Sequence, residues 1–216
     1  MTISWILIVS EKKKMARKTK SRKIPKQILV LGEGQSERQY FIEMQRHEDS
    51  VFALKPELPK SQDYGHIFRY AINNAEEHQK VFCLIDIDYI LNQNKYEEYK
   101  AERNKALKVR NIVVCESCPC FETWFVLHFE EVSKPFTYCD SLISEKLQNR
   151  IQNYKKADSK RNYYALLKNK QQDAINRAEV IVKRRNKEIA TGLHNPRVCR
   201  IPFTEIHLLI KELLEI

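Results

Sequence analysis

Between residues 27 and 140, short apolar runs alternate with stretches in which apolar residues recur every three or four positions. The run from Gln27 to Leu31 is β-branched and apolar and ends at Gly32 and Gly34, which predicts a buried strand followed by a turn. Ser36 is placed to cap a helix carrying Tyr40, Phe41 and Met44 on one face. A second short strand is expected at Val51 to Leu54, then a helix with Ile67, Phe68, Ala71, Ile72 and Ala75 at helical spacing. The run from Val81 to Ile87 is apolar on both faces and predicts a central strand covered on both sides. A helix is expected from Lys95 to Lys108, a buried strand from Asn111 to Cys115, and a helix starting near Pro119 with Phe121, Trp124, Phe125 and His128 on one face.

This alternation points to an α/β fold with a mainly parallel sheet and helices on both faces. After Asp140 the strand signals stop, and helices are expected at Leu142 to Tyr154, at Tyr163 to Leu167, around Ala174, Ala178 and Ile181, and around Ile206, Leu209, Ile210 and Leu213. The predicted organisation is a basic, poorly packed segment over 1–26, an α/β module over 27–140 and a basic helical subdomain over 141–216. Met15 offers an alternative translation start.

Composition narrows the classes. With 216 residues, 43% hydrophobic and 31% charged, the chain can bury a core and is not of the disordered type. Four glycines leave little room for the hairpins of an all-β fold or for a glycine-rich phosphate cradle. The apolar run Trp5 to Val9 is far shorter than a membrane span, and no export signal is visible, so a cytoplasmic protein with reduced cysteines is expected.

Charge is segregated along the chain. Residues 1–27 hold nine basic residues and one acid, 28–140 hold 13 basic and 19 acidic, and 141–216 hold 16 basic and eight acidic. Carboxylates able to hold cations beside a surface able to hold phosphates suit a metal-dependent nuclease. Two oppositely biased solvated helix faces would give the same counts.

Asp86 and Asp88, two apart at the end of the central strand, are expected to project from one face, and Glu33 follows the first strand directly. In an open parallel sheet the carboxyl ends of strands share one edge, where ligands bind. Three acids held together repel unless a cation or protons intervene, and hard oxygen donors favour Mg²⁺ or Mn²⁺.

Those residues carry a resemblance. The run Leu31 to Glu37 (LGEGQSE) with Tyr40 and Phe41, Leu84 to Asp88 (LIDID), and Ser117 to Phe129 (SCPCFETWFVLHF) resemble the motifs of Toprim-type RloB-like proteins; Tyr154 to Lys156, and Asn195 and Pro196 through His207, are similar to that family's second half. Cys118 stands where the family usually has Asn. The resemblance implies a Toprim-like fold, divalent-metal phosphoryl transfer, and a bacterial or archaeal antiphage role beside an ATPase. It makes Glu33 a metal ligand or general base and Asp86 and Asp88 metal ligands. Glu37, one helical turn from Glu33, and Glu122 are further ligand candidates, although a first-turn glutamate also stabilises its own helix.

Other readings stay open. Cys115, Cys118, Cys120 and His128 supply soft ligands for zinc, or are buried thiols and a satisfied helix histidine. Lys155, Lys156, Lys160 and Arg161, interleaved with Tyr154, Tyr163 and Tyr164, suit a nucleic-acid surface, as do Arg184, Arg185 and His128, unless the tyrosines turn inward. A non-catalytic sensor or adaptor binding nucleic acid or an ATPase is the alternative to a nuclease. Oligomeric state is not legible.

Overall fold

The computed structural model describes residues 27–32, 34–48, 54–57, 63–156, 158, 160–193, 195, 199 and 201–214. The expectations for residues 1–26, Glu33, 51–53 and Pro196 lie outside the described residues.

The elements run β1 (Ile28–Leu31), α1 (Gln35–His47), β2 (Leu54–Glu57), α2 (Tyr64–Asn74), β3 (Lys80–Asp86), α3 (Asp88–Asn92), α4 (Tyr96–Ala106), β4 (Ile112–Cys118) and α5 (Glu122–Leu127). Then come α6 (Cys139–Leu142), α7 (Tyr163–Leu167), α8 (Gln171–Ala190), β5 (Phe203–Thr204) and α9 (Ile206–Leu214). The strand order is β2-β1-β3-β4-β5, parallel up to β4 and antiparallel at β5. All of β1, and Val81 to Ile85 of β3, are buried, so side chains pointing to either face of the sheet are covered. This is the mainly parallel α/β sheet with a helical C-terminal part that the pattern predicts, and it is consistent with a Toprim-like arrangement.

The chain departs from expectation where local pattern is thin. β2 begins at Leu54, where the strand was expected to end. The expected helix from Leu142 to Tyr154 stops at Leu147 after a five-residue π-helical turn, and Asn153 takes a left-handed conformation with φ 55° that asparagine tolerates. β5 was not foreseen, because two residues carry no periodicity.

An aromatic cluster sets the spacing between α1 and α5. Tyr40 meets Phe121 edge-on at 5.8 Å between centroids, and Phe121 meets Phe125 at 5.2 Å. Trp124 Nε1 donates to the Tyr40 hydroxyl at 3.1 Å, which in turn reaches Gln171 Oε1 at 3.5 Å. Burying each such ring contributes on the order of 2 kcal/mol. The first turn of α1 carries Ser36 and Glu37, and that of α5 carries Glu122, so the same packing positions these polar groups.

An ionic cluster ties the second half to the sheet. Glu116 on β4 accepts from Tyr99 Oη at 2.9 Å and pairs with Arg103 at 2.9 Å and Arg185 at 3.5 Å. The Arg185 guanidinium lies 3.9 Å from the Phe203 ring centroid, and Glu205 Oε2 accepts from the Glu116 N–H at 3.0 Å. Burial, and then the Glu116 charge, push Glu205 up to about 7 from 4.5. The folded chain therefore holds this proton more tightly than the unfolded chain. Stability from this group is full below about 4.5 and is lost as pH rises through about 7. Glu205→Gln, which keeps the oxygen acceptor, is expected to melt above wild type at pH 8, by roughly 1 to 3 kcal/mol in stability, and to match it at pH 4 to 5. Thermal melts of both proteins across that range check the sign.

The expectation of reduced cysteines is corrected. Cys118 is bonded to Cys199 and Cys120 to Cys139, while Cys83 and Cys115 are free and buried. The partners are 81 and 19 residues apart, a pairing that only the tertiary fold reveals. The zinc set of Cys115, Cys118, Cys120 and His128 is accordingly not assembled. Among the described residues no helix is long and apolar enough to cross a membrane.

Candidate metal centre and active site

In the strand order above, β1 and β3 are neighbours, and the chain leaves β1 for β2 on one side and β3 for β4 on the other. That is the topological switch point of an open α/β sheet, and ligands bind outside the carboxyl ends of strands at such a point. Asp86 is the last residue of β3 and Asp88 the first of α3, with Ile87 already in helical conformation at φ −95°, ψ −4°. The two aspartates are thus not alternate residues on one strand face, as the spacing suggested. A turn at Ile87 lies between them.

Lys156 feels four acids at once. Burial would lower its pKa, but Glu122, Asp86, Glu37 and Asp88 outweigh burial and raise it. Its ammonium lies 3.7 Å from Glu122 Oε2. Glu122 is fully buried; its Oε1 accepts from Ser36 Oγ at 3.1 Å and from Tyr154 Oη at 3.0 Å. Burial, and then the Glu122 charge, raise the buried Glu37 to about 7. Burial raises Asp88 as well, although its Oδ1 accepts from the Tyr89 N–H at 2.7 Å.

Gly34 makes the approach of Glu37 possible. A Cβ there would stand 2.2 Å from Glu37 Oε2, so any side chain would displace that carboxylate. A cleft of about 410 Å³ opens beside Asp86, with Arg69, Tyr89, Lys95 and Glu98 among its walls.

The acids around Lys156 offer hard oxygen donors, the kind that suits a divalent cation. Glu37, Asp86, Asp88 and Glu122 all act on one half-exposed ammonium, and burial together with the Glu122 charge makes Glu37 hold a proton near neutral pH. Carboxylate oxygens are the donors that Mg²⁺ and Mn²⁺ prefer. A second, softer group lies alongside: the ligand atoms of Cys120, Glu122 and Cys139 are buried and within 4.8 Å of one another, a cluster able to hold a metal ion once its cysteines are thiols.

The other expected site residues are placed as follows. Glu33 lies outside the described residues. His128 is buried, its Nδ1 donates to the Trp124 carbonyl at 2.8 Å, and burial pushes its pKa down to about 4, so it is neutral and not displayed to a phosphate at the surface. Arg185 is nearly covered and engaged by Glu116 and Phe203. Arg184 is exposed and 3.6 Å from Glu131. Lys155 and Lys160 are exposed, and Arg161 donates to the Gln152 carbonyl. Tyr154, Tyr163 and Tyr164 turn inward, which removes them as surface stacking platforms. The sequence reading missed Ser36 and Tyr154 as holders of Glu122 and missed Tyr89, 62% exposed beside Asp88. Tyr154 to Lys156 was a recognisable motif, and that signal pointed to this place.

With the geometry established, a family model described as RloB-like protein matches residues 28–213. The chain belongs to the RloB-like family. No curated protein and no solved structure matches the chain. The matched span of this RloB-like chain includes Glu37, Asp86, Asp88, Glu122 and Lys156, as well as α8 and most of α9.

Proposed function

We propose that this chain is a divalent-metal-dependent nuclease that hydrolyses phosphodiester bonds of DNA or RNA, transfer RNA among the candidates, as a cytoplasmic effector of prokaryotic antiphage defence working with a partner ATPase. The observation that carries the reading is that Glu37, Asp86, Asp88 and Glu122, from four separate elements, all act electrostatically on Lys156, whose ammonium lies 3.7 Å from Glu122, with Asp86 at the carboxyl end of β3 beside the switch point of the sheet. These four acids, with Glu33 next in sequence to Gly34, would hold Mg²⁺ or Mn²⁺. Such an ion, when bound, polarises the phosphodiester and lowers the pKa of bound water.

The chain's own groups supply the rest. A carboxylate of the cluster takes the proton of the attacking water. The Lys156 ammonium offsets charge that develops on the phosphoryl oxygens. Arg69 and Lys95 in the cleft wall hold neighbouring phosphates, and the exposed Tyr89 ring offers a face on which a base can stack.

One observation favours a second reading, a non-catalytic sensor or adaptor: Lys156 already gives the acids a built-in cation. Purified protein incubated with plasmid and with total RNA, in Mg²⁺, Mn²⁺ or EDTA, with and without the neighbouring ATPase, separates the two. Metal-dependent cleavage is expected. Binding that is equal in EDTA and in metal, with no cleavage under any condition, would support the adaptor.

The two adjacent lysines should part ways. Lys155→Glu, at an exposed position, is expected to weaken nucleic-acid affinity and reduce its log–log salt slope by about 0.7 to 0.9 if one phosphate contact is lost. Lys156→Glu instead adds a fifth carboxylate to the cluster, so the metal-free protein should melt lower and Mn²⁺ should raise its melting temperature more than it raises that of wild type. Salt-series binding and thermal melts check the two outcomes separately.

A further inference from the structure

The cysteine pair beside the acids has a chemistry of its own. Cys139 Sγ lies 3.3 Å from Glu122 Oε2 and 3.7 Å from Lys156 Nζ, and its bonded partner Cys120 is buried with its sulfur within 4.8 Å of a Glu122 oxygen. A disulfide sulfur has no hydrogen to give, so the contact with Glu122 becomes a hydrogen bond only in the thiol form. We propose that reduction of the Cys120–Cys139 disulfide creates a zinc site in which both sulfurs and Glu122 Oε2 bind one Zn²⁺, with a fourth position left to water.

Three observations carry this. The three ligand atoms lie within 4.8 Å of one another on residues that are all buried. Two thiolates and a carboxylate are a donor set that zinc accepts, with an open fourth position, whereas Mg²⁺ does not favour sulfur. Glu122 is also pre-oriented: Ser36 and Tyr154 occupy Oε1 with their hydroxyls and leave Oε2 facing the cysteines. The ammonium of Lys156, 3.7 Å from both Oε2 and Sγ, shows that a cation already has room beside this pair.

The chemistry balances with a cellular dithiol as reductant. The dithiol gives two electrons to the Cys120–Cys139 bond and closes to its own disulfide, and its two protons pass to the cysteine sulfurs. Zn²⁺ then replaces both protons, which leave to water. Because Glu122 belongs to both clusters, zinc binding withdraws it from the hard-metal set. That consequence rests on the nuclease reading; the zinc site itself does not.

Co²⁺ is the probe, because thiolate ligands give it a charge-transfer absorption in the near ultraviolet that carboxylate ligands do not. Full-length protein is reduced with a phosphine under anaerobic conditions, freed of reductant and titrated with Co²⁺, beside unreduced protein. One equivalent with the thiolate band is expected in reduced wild type and in reduced Cys118→Ser, and no band in unreduced wild type or in Cys139→Ser. Excess Zn²⁺ should abolish the band. Absence of the band in reduced wild type overturns the proposal with no variant needed, and so does a band that survives Cys139→Ser but is lost in Cys118→Ser. An inert nuclease would leave these spectra unchanged, and a missing band would leave Mn²⁺ binding by the acids untouched.

Discussion

Asp88→Asn is expected to cut metal-dependent cleavage by at least about a hundredfold while the metal-free protein melts at or above the wild-type temperature. The two effects have one cause. Burial raises the Asp88 carboxyl, so its charged form costs the fold something, and the Asn oxygen can still accept from the Tyr89 N–H. If the side chain only held the turn into α3, losing a charged acceptor would cost about 1 to 3 kcal/mol with or without metal. Cleavage assays in Mn²⁺ together with melts in EDTA distinguish these outcomes, and a lower melting temperature in EDTA with cleavage retained would reverse the assignment.

Glu122 should behave differently, because it is fully buried and holds three neighbours, Ser36, Tyr154 and Lys156. Glu122→Ala strands the hydroxyls of Ser36 and Tyr154 in the interior and takes away the partner of Lys156. Relief of repulsion against Glu37 offsets part of the loss. The net cost is expected to be about 3 kcal/mol or more, and the melting temperature should fall by about 10 °C. Glu122→Gln keeps an oxygen for the two hydroxyls and should cost only about 1 to 2 kcal/mol, yet it too should lose metal-dependent cleavage. Melts of the two variants in EDTA read the stability difference, and their cleavage in Mn²⁺ reads the shared functional loss. Equal destabilisation by Ala and Gln would mean that the charge, not the hydrogen bonds, holds this site together.

Much of this site was legible because its elements have strong local patterns. β3 is apolar along its length and ends in Asp86, so that acid's place at the switch edge followed from topology alone. Glu37 and Glu122 were legible as first-turn acids, but whether they capped a helix or joined the cluster depended on how α1 packs on α5 through Tyr40, Phe121 and Phe125. Lys156 could not be placed from its neighbours in sequence, since Lys155 and Lys160 are exposed as it is and only its tertiary contacts with Glu122 and Cys139 set it apart. The disulfides and the Glu116–Glu205 contact join residues separated by 19 to 89 positions, and no periodicity encodes such pairs. The family resemblance reached the acids because its motifs lie at strand ends, where the chain conformation is dictated by the sheet.

The central claim is that Glu37, Asp86, Asp88 and Glu122 form a site for a divalent cation. Its most direct test is a titration of Mn²⁺ into EDTA-stripped, oxidised protein, with the free ion followed by electron paramagnetic resonance, in wild type and in Asp86→Asn, Asp88→Asn and their double variant. Saturable binding in wild type, weakened in each single variant and lost in the double variant, is the expected result. Equal binding in wild type and the double variant, or none in either, would contradict the metal site and the hydrolytic chemistry built on it.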